Sequence, residues 1–257
     1  MELAWAAGFF DGEGWVGAVV QAGRRTAQPV ARINQAGDGA PPEALLRFQR
    51  AVGVGRIGGP ASLPGRRDLY RWSVSSRGDV RSLADLIGAF LCGRKRADLA
   101  AALGAPCAPR GHLAAGEEHA WAAGFFDGEG CVSLGRHRTH AGYWLVEAAV
   151  TQLGLDDGPP PELERFRLAL AGLGRIYGPY TQRSASGPVF RWRVHRAVEV
   201  RQLYDTLEPF LGEAKREQAR QRLRMVEVQL QPSTRRRGSD RTSRAGRARS
   251  RGSRINA

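Results

Sequence analysis

Ala4-Trp5-Ala6-Ala7-Gly8-Phe9-Phe10-Asp11-Gly12-Glu13-Gly14 returns unchanged, 116 residues later, as Ala120-Trp121-Ala122-Ala123-Gly124-Phe125-Phe126-Asp127-Gly128-Glu129-Gly130. Chance does not produce an identity of that length, so the chain reads as one unit written twice. The match runs on with small gaps. Ile33-Asn34-Gln35 answers Val150-Thr151-Gln152, and Pro41-Pro42-Glu43 with Phe48 answers Pro160-Pro161-Glu162 with Phe166. Further on, Gly55-Arg56-Ile57 answers Gly174-Arg175-Ile176, Tyr70-Arg71-Trp72 answers Phe190-Arg191-Trp192, and Lys95-Arg96 answers Lys215-Arg216, while the offset drifts only from 116 to 120. The expected units are 1–103 and 118–231, joined by the Pro- and Gly-bearing linker 104–117 and followed by a tail, 232–257.

Within each unit the hydrophobic period changes in the same order. Residues 3–10 and 118–126, rich in Ala and aromatics, predict helices ended by the glycines of Asp-Gly-Glu-Gly. Strands are expected near 14–21 and 29–35, and near 131–137 and 143–152. Each Pro-Pro-Glu opens a helix, at 42–52 and 161–172, because Pro fits a first turn and Glu suits the positive end of the helix dipole. Strands at 55–60 and 69–75, and at 174–181 and 189–195, precede closing helices at 78–91 and 94–103, and at 196–211 and 213–230. In the last strand Phe190, Trp192 and Val194 point one way and Arg191, Arg193 and His195 the other. The expected class is α+β: two tandem αββαββα domains related by a pseudo-twofold axis, each with an antiparallel sheet whose apolar face meets the helices and whose basic face looks outward.

Charge points to the partner. Thirty-nine Lys and Arg against 25 Asp and Glu give +14 and an isoelectric point near 11.0, the range of proteins that meet polyanions. Nearly all of it is Arg, whose fork pairs bidentately with phosphate or guanine. Residues 232–257 hold nine Arg and one Asp, +8 of the +14, with almost no apolar side chain. Such a tail is expected to stay disordered and to bind phosphate without sequence preference. No run reaches the roughly 18 apolar residues of a membrane span, and no basic leader opens the chain, so an unexported protein of the cytoplasm, nucleoid or an organelle matrix is expected. Cys92, Cys107 and Cys131 are odd in number and lack CxxC spacing, which suggests neither a disulfide framework nor a thiolate zinc site.

The repeated helix carries Asp11 and Glu13, or Asp127 and Glu129, at the end where its dipole is already negative. Ala6, Ala7 and Gly8, with Ala122, Ala123 and Gly124, would let the two helices pack closely across the pseudo-twofold axis. Parallel packing would then gather four carboxylates. Such a cluster either raises its pKa values or holds a hard divalent cation, and oxygen ligands favour Mg²⁺ or Mn²⁺ over zinc.

Ala7 to Gly14 and Ala123 to Gly130 resemble the motif that names the LAGLIDADG homing endonucleases. The resemblance covers both units and leaves out the tail. It implies a monomer whose paired motif helices form the inter-domain interface, with one saddle-shaped sheet per unit in the DNA major groove and cleavage of both strands. The family's metal-binding last acid falls on Glu13 and Glu129, where Glu replaces the more common Asp. Asp11 and Asp127 align with the preceding acid, a helix-end and turn residue. The family's glutamine, a neutral amide able to orient water, aligns with Gln35 and Gln152. Its basic residue aligns with Lys95 and Lys215, after a helix one residue longer than usual, which leaves Arg96 or Arg216 as alternatives.

The implied chemistry is attack of water on phosphorus, with divalent metal stabilising the leaving 3′ oxygen and Lys or Arg offsetting charge in the transition state. Base reading would fall to Arg32, Asn34, Arg71, Ser73 and Ser75 in the first unit, and to Arg136, Arg191, Arg193 and His195 in the second. Because the two faces differ, the target should be long and not a perfect palindrome. An intron-RNA maturase and a non-catalytic DNA-binding regulator are the alternatives on the same scaffold.

Other features read as structure. His137 and His140 are spaced HxxH but lack helical geometry and acidic partners, so phosphate contact or solvation is favoured over metal. Trp5, Trp72, Trp121, Trp144 and Trp192 suit core packing, and Cys131 is expected to be a buried strand residue. Neither end of the chain carries splice-junction residues, which fits a free-standing product.

Overall fold

The repeated segment forms the first helix of each copy, α1 (Glu2–Glu13) and α5 (Ala115–Glu129). The structure, a computed structural model, describes residues 1–20, 26–62, 64–136, 143–154, 158–181 and 187–230. The Arg-rich tail, His137 and His140 lie outside the described residues. Both helices outrun their predicted ends. Each continues through Asp-Gly-Glu and stops at the next glycine, Gly14 or Gly130, whose backbone is extended. Gly12 stays helical because its role is packing: a Cβ there would stand 2.8 Å from Glu129 Cγ of the other helix, and one on Gly128 would stand 2.9 Å from Glu13 Cγ.

α1 and α5 pack in parallel along the pseudo-twofold axis, as the small residues predict. A Cβ on Gly8 would lie 1.9 Å from the Trp121 carbonyl oxygen, and one on Gly124 1.9 Å from that of Trp5, so the two backbones touch where each helix has no side chain. The remainder of copy one is β1 (Gly14–Val20), β2 (Ala27–Gly37), α2 (Glu43–Val52), β3 (Arg56–Ala61), β4 (Asp68–Val74), α3 (Arg77–Ile87) and α4 (Gly93–Leu103). Copy two continues as β5 (Gly130–Arg136), β6 (Trp144–Leu153), α6 (Pro161–Ala169), β7 (Arg175–Tyr180), β8 (Val189–Val194), α7 (Ala197–Leu207) and α8 (Glu213–Leu230). With both closing helices written out, each copy is αββαββαα. The first turn of α5 falls inside the stretch read as linker, and α6 stops at Ala169, short of its expected end at 172, in a turn where Ala171 adopts φ 52°.

Two four-stranded antiparallel sheets result, ordered β1-β2-β4-β3 and β5-β6-β8-β7. Alternation puts Ala31, Ile33, Trp72 and Val74 against the helices and sends Arg32, Asn34, Arg71 and Ser73 outward. The core is built from matching aromatic trios. Phe48 meets Trp72 edge-on with ring centroids 4.8 Å apart, and Phe166 meets Trp192 at the same 4.8 Å. Phe10 and Phe126 stack on those phenylalanines at 5.9 and 6.1 Å. The indole N–H of Trp72 donates to the Val54 carbonyl at 3.0 Å, and that of Trp192 to the Leu173 carbonyl at 2.9 Å, so the buried donors are satisfied.

Candidate catalytic site and nucleic-acid interface

Helices α1 and α5 deliver Glu13 and Glu129 side by side on the axis, each leaning on the other helix's glycine. Gln35 follows Ala31 and Ile33 in the helix-facing row of β2, and Gln152 follows Ala148 and Val150 in that of β6, so each amide emerges beside the glutamate of its own copy. Hydrogen bonds from Gln35 to Glu13 and from Gln152 to Glu129 draw those carboxyls' pKa values down. Burial outweighs them. Glu13 titrates above the ordinary glutamate range, and Glu129, pressed by burial and then by the Glu13 charge, is pushed up to about 7.

The lysines enter crosswise. One cleft is lined by Glu13, Asn34 and Gln35 of copy one together with Lys215 and Gly128 of copy two. The other is lined by Glu129, Thr151 and Gln152 of copy two together with Lys95 and Arg94 of copy one. Each lysine is anchored within its own copy, Lys95 Nζ donating to the Gly14 carbonyl and Lys215 Nζ to that of Gly130, and burial holds both pKa values below the ordinary lysine value. The arginine alternatives line neither cleft, and Arg216 donates to the Glu208 and Leu211 carbonyls. Of each neighbouring Lys-Arg pair, 95–96 and 215–216, it is the lysine that lines the cleft.

Asp127 borders the Glu13 cleft and Asp11 the Glu129 cleft, but among the described residues the four carboxylates form no single group, because each aspartate is taken up by hydrogen bonds of its own. Asp11 Oδ2 accepts the Trp121 indole N–H at 2.8 Å and the Cys92 N–H at 2.9 Å; Asp127 Oδ2 accepts from Trp5 and from the Gly212 N–H, both at 2.8 Å. Burial raises each to about 6 against these bonds. Among the described residues no group of three His, Cys, Asp or Glu is placed to hold a metal ion. A cation at the axis would draw two carboxylates from the protein and its other oxygens from elsewhere.

All four acids titrate high, so the folded chain keeps protons that the unfolded chain gives up between about pH 4 and pH 7. Stability without metal is expected to fall as pH rises through that window and to level off above it. Glu129→Gln should flatten the upper part of the slope, and thermal melts in EDTA from pH 4.5 to 8 measure both. A melting temperature that rises with pH over this range contradicts the assignment.

The outward faces carry the predicted base readers unevenly. Arg32 stacks on Trp15, its Cζ 4.0 Å from the ring centroid, and sits across from Ser73; Asn34 accepts from Arg71 Nε at 2.8 Å. Ser75 and His195 are exposed, one residue beyond their strands. In copy two Glu147, which no motif or repeat marks in the sequence, lies among the arginines and pairs with Arg191 at 2.6 Å and Arg193 at 3.7 Å. Two expectations change. Cys131 is exposed, because Gly130 takes the inward place and turns the next residue outward, opposite Ala149. Arg136 shares the helix-facing row of Val132 and Leu134 and lies over Trp144, with Cζ 5.3 Å from the ring, so it stands at the sheet's end and off the outward face.

Two α+β copies joined through parallel acid-bearing helices, each with an outward four-stranded sheet, define the LAGLIDADG homing-endonuclease fold, and this chain has it. The LAGLIDADG meganuclease I-AabMI bound to uncleaved DNA matches over 89% of this chain and 91% of its own, with TM-score 0.64 and 18% identity. The homing endonuclease I-GzeII in complex with its DNA target matches over 90% and 93%, with TM-score 0.65 and 14% identity. The I-SmaMI homing endonuclease bound to cleaved DNA matches over 88% and 89%, with TM-score 0.56 and 14% identity. No protein-family model and no curated protein matches the chain. No helix among the described residues is long and apolar enough to cross a membrane.

Proposed function

We propose that the protein is a site-specific endonuclease that binds a long, non-palindromic DNA duplex as a monomer and cuts both strands with the help of a divalent cation. The observation that carries this reading is the crossed pair of clefts, each holding one motif glutamate, one glutamine and one lysine, between two sheets that present arginine. Structures of the same fold bound to DNA support it.

The axis fits a hard cation: the Glu129 carboxyl is pushed up to about 7 by burial and the Glu13 charge, and the buried Gln35 Oε1 beside this pair has no hydrogen-bond partner. Glu13 and Glu129 would hold Mg²⁺ or Mn²⁺, which when bound supplies Lewis acidity at the phosphate and neutralises the paired charge. Gln35 and Gln152 orient water for attack on phosphorus. Lys95 and Lys215, poorly hydrated and fixed to backbone carbonyls, stabilise the negative charge that grows on the phosphoryl oxygens. The 3′ oxygen departs as the new bond forms, and the chain supplies no covalent nucleophile. Arg32, Asn34, Arg71 and Ser73, with Arg191 and Arg193 once Glu147 gives them up, contact base edges and phosphates in the major groove.

Selection of cleaved sites from a randomised duplex library, run with Mg²⁺ and again with Ca²⁺, tests the reading. Metal-dependent double-strand cuts at one long site are expected; binding without cutting in Mg²⁺ overturns it. Removal of residues 231–257 takes away nine Arg and one Asp. It is expected to weaken binding to all duplexes alike and to lower the slope of log K against log salt, by about 0.9 for each phosphate no longer neutralised. Weakened binding to the target alone would show that the tail reads sequence.

A further inference from the structure

Arg47 and Arg165 occupy equivalent places, each directly before a matched core phenylalanine, Phe48 or Phe166, and each crosses to the other copy. Arg165 on α6 lies over Trp121, its Cζ 3.8 Å from the ring centroid. Its Nη1 donates to the Phe90 carbonyl at 2.6 Å and to Cys92 Sγ at 3.6 Å, and stands 3.9 Å from Asp11 Oδ2, while its Nε donates to Glu118 at 3.0 Å. Phe90 and Cys92 belong to the turn that launches α4, and Lys95 stands in the first turn of that helix. Asp11 grips the same turn through the Cys92 N–H.

The other copy repeats the arrangement, except that Gly212 stands where Cys92 does and offers no sulfur. Arg47 on α2 lies 4.0 Å over Trp5, donates to the Phe210 carbonyl at 2.7 Å and to Glu2, and stands 3.9 Å from Asp127, which holds the Gly212 N–H just ahead of α8 and Lys215. A buried guanidinium is costly to place in a protein interior, and only a planar fork can stack on an indole while meeting a carbonyl and a carboxylate at once. Leu91 and Cys92 in one turn, and Leu211 in the other, anchor the same launches in the core, so the fold does not depend on the arginines alone to form these helices.

We infer that Arg165 and Arg47 are positioning residues: each fixes the launch of the opposite copy's lysine-bearing helix, so that Arg165 sets Lys95 in the Glu129 cleft and Arg47 sets Lys215 in the Glu13 cleft. The two strand cuts would then be tuned separately, one by each arginine. The strand-specific part of this inference rests on the nuclease reading above; the positional part does not.

The test uses the full chain with Arg165→Met and Arg47→Met, which keep an apolar stem over the indole and lose the donors, and with Arg165→Lys and Arg47→Lys, which keep the charge and lose the fork. Hydrogen exchange without metal is expected to rise about tenfold or more at residues 92–96 in Arg165→Met with 212–216 unchanged, and the reverse in Arg47→Met. On a duplex labelled separately on each strand, Arg165→Met should slow one strand's cut about tenfold or more and Arg47→Met the other, the scale expected when a group beside the chemistry is displaced by a fraction of an ångström. The lysine variants should show the same strand preference, and they carry the comparison if the methionine variants do not fold. Equal slowing of both strands, or exchange rising in both turns together, overturns the inference. If the wild-type chain cuts neither strand, the nuclease reading fails while the exchange measurement still decides the positioning.

Discussion

Glu13→Gln and Glu129→Gln, made separately, are each expected to lower double-strand cleavage by a factor of about 10³ or more, an activation cost of about 4 kcal/mol, and to leave target binding within about 1 to 2 kcal/mol. Glutamine keeps the shape of the side chain between the two helices but removes the negative charge that a cation at the axis requires. Stability should move the other way. Burial and the neighbouring acid hold Glu129 up to about 7, so its ionised form is disfavoured by the fold, and the neutral variant should melt higher than wild type at pH 8 in EDTA. Higher stability with lost cleavage separates a ligand role from a structural one. Loss of binding in step with cleavage, or a lower melting temperature in either variant, contradicts the assignment.

Gly8→Ala is expected to destabilise the protein by about 2 kcal/mol or more, and Gly8→Ala with Gly124→Ala to prevent folding. On an open helix the same change stabilises by up to about 1 kcal/mol. Here the new carbon would stand 1.9 Å from the Trp121 carbonyl oxygen, 2.8 Å from the Trp121 carbonyl carbon and 2.9 Å from the Phe125 nitrogen. All three are backbone atoms, so no side chain can turn aside and the two helices must separate. That movement also shifts Glu13 from Glu129, so cleavage by the folded fraction should fall too. Gly116→Ala in α5 is the control: its Cβ would meet only Met1, at 3.5 Å, and the variant should be neutral or slightly more stable. Denaturant melts of the single variants and the control measure the difference; a Gly8→Ala protein as stable as wild type would mean that α1 and α5 do not approach as described.

Much of this architecture is legible in the chain because it is written twice. The exact recurrence of Ala4 to Gly14, the paired Pro-Pro-Glu starts and the alternation around Trp192 specify two α+β units and nearly all their elements, since hydrophobic period and turn chemistry are local properties. The same recurrence points to Glu13, Glu129, Gln35, Gln152, Lys95 and Lys215. What it does not carry is which copy serves which cleft. Residues of equal rank in the two copies align, yet the lysine that enters each cleft comes from the opposite copy, because the copies face each other across an axis that no spacing along the chain reveals.

The details that differ from expectation share that origin. Asp11 and Asp127 look like partners of the glutamates two residues on, but a helix that continues through Gly12 or Gly128 rotates by about 200° over two residues, which turns the aspartates towards the opposing Trp and the following helix launch. Cys131 and Arg136 change faces because strand β5 begins with Gly130 facing inward, and a period of two carries that choice to every later residue. Arg47 and Arg165 sit beside matched phenylalanines as a visible recurrence, but the carbonyls they reach in the other copy are more than 70 positions away. Short-range periodicity was enough to establish the repeat, its elements and the residue types at the site. How the two copies share their acids, lysines and crossing arginines came from the three-dimensional packing alone, because those relations depend on the distance of approach between two helices, and that distance is set where Gly8 and Gly124 let backbone meet backbone.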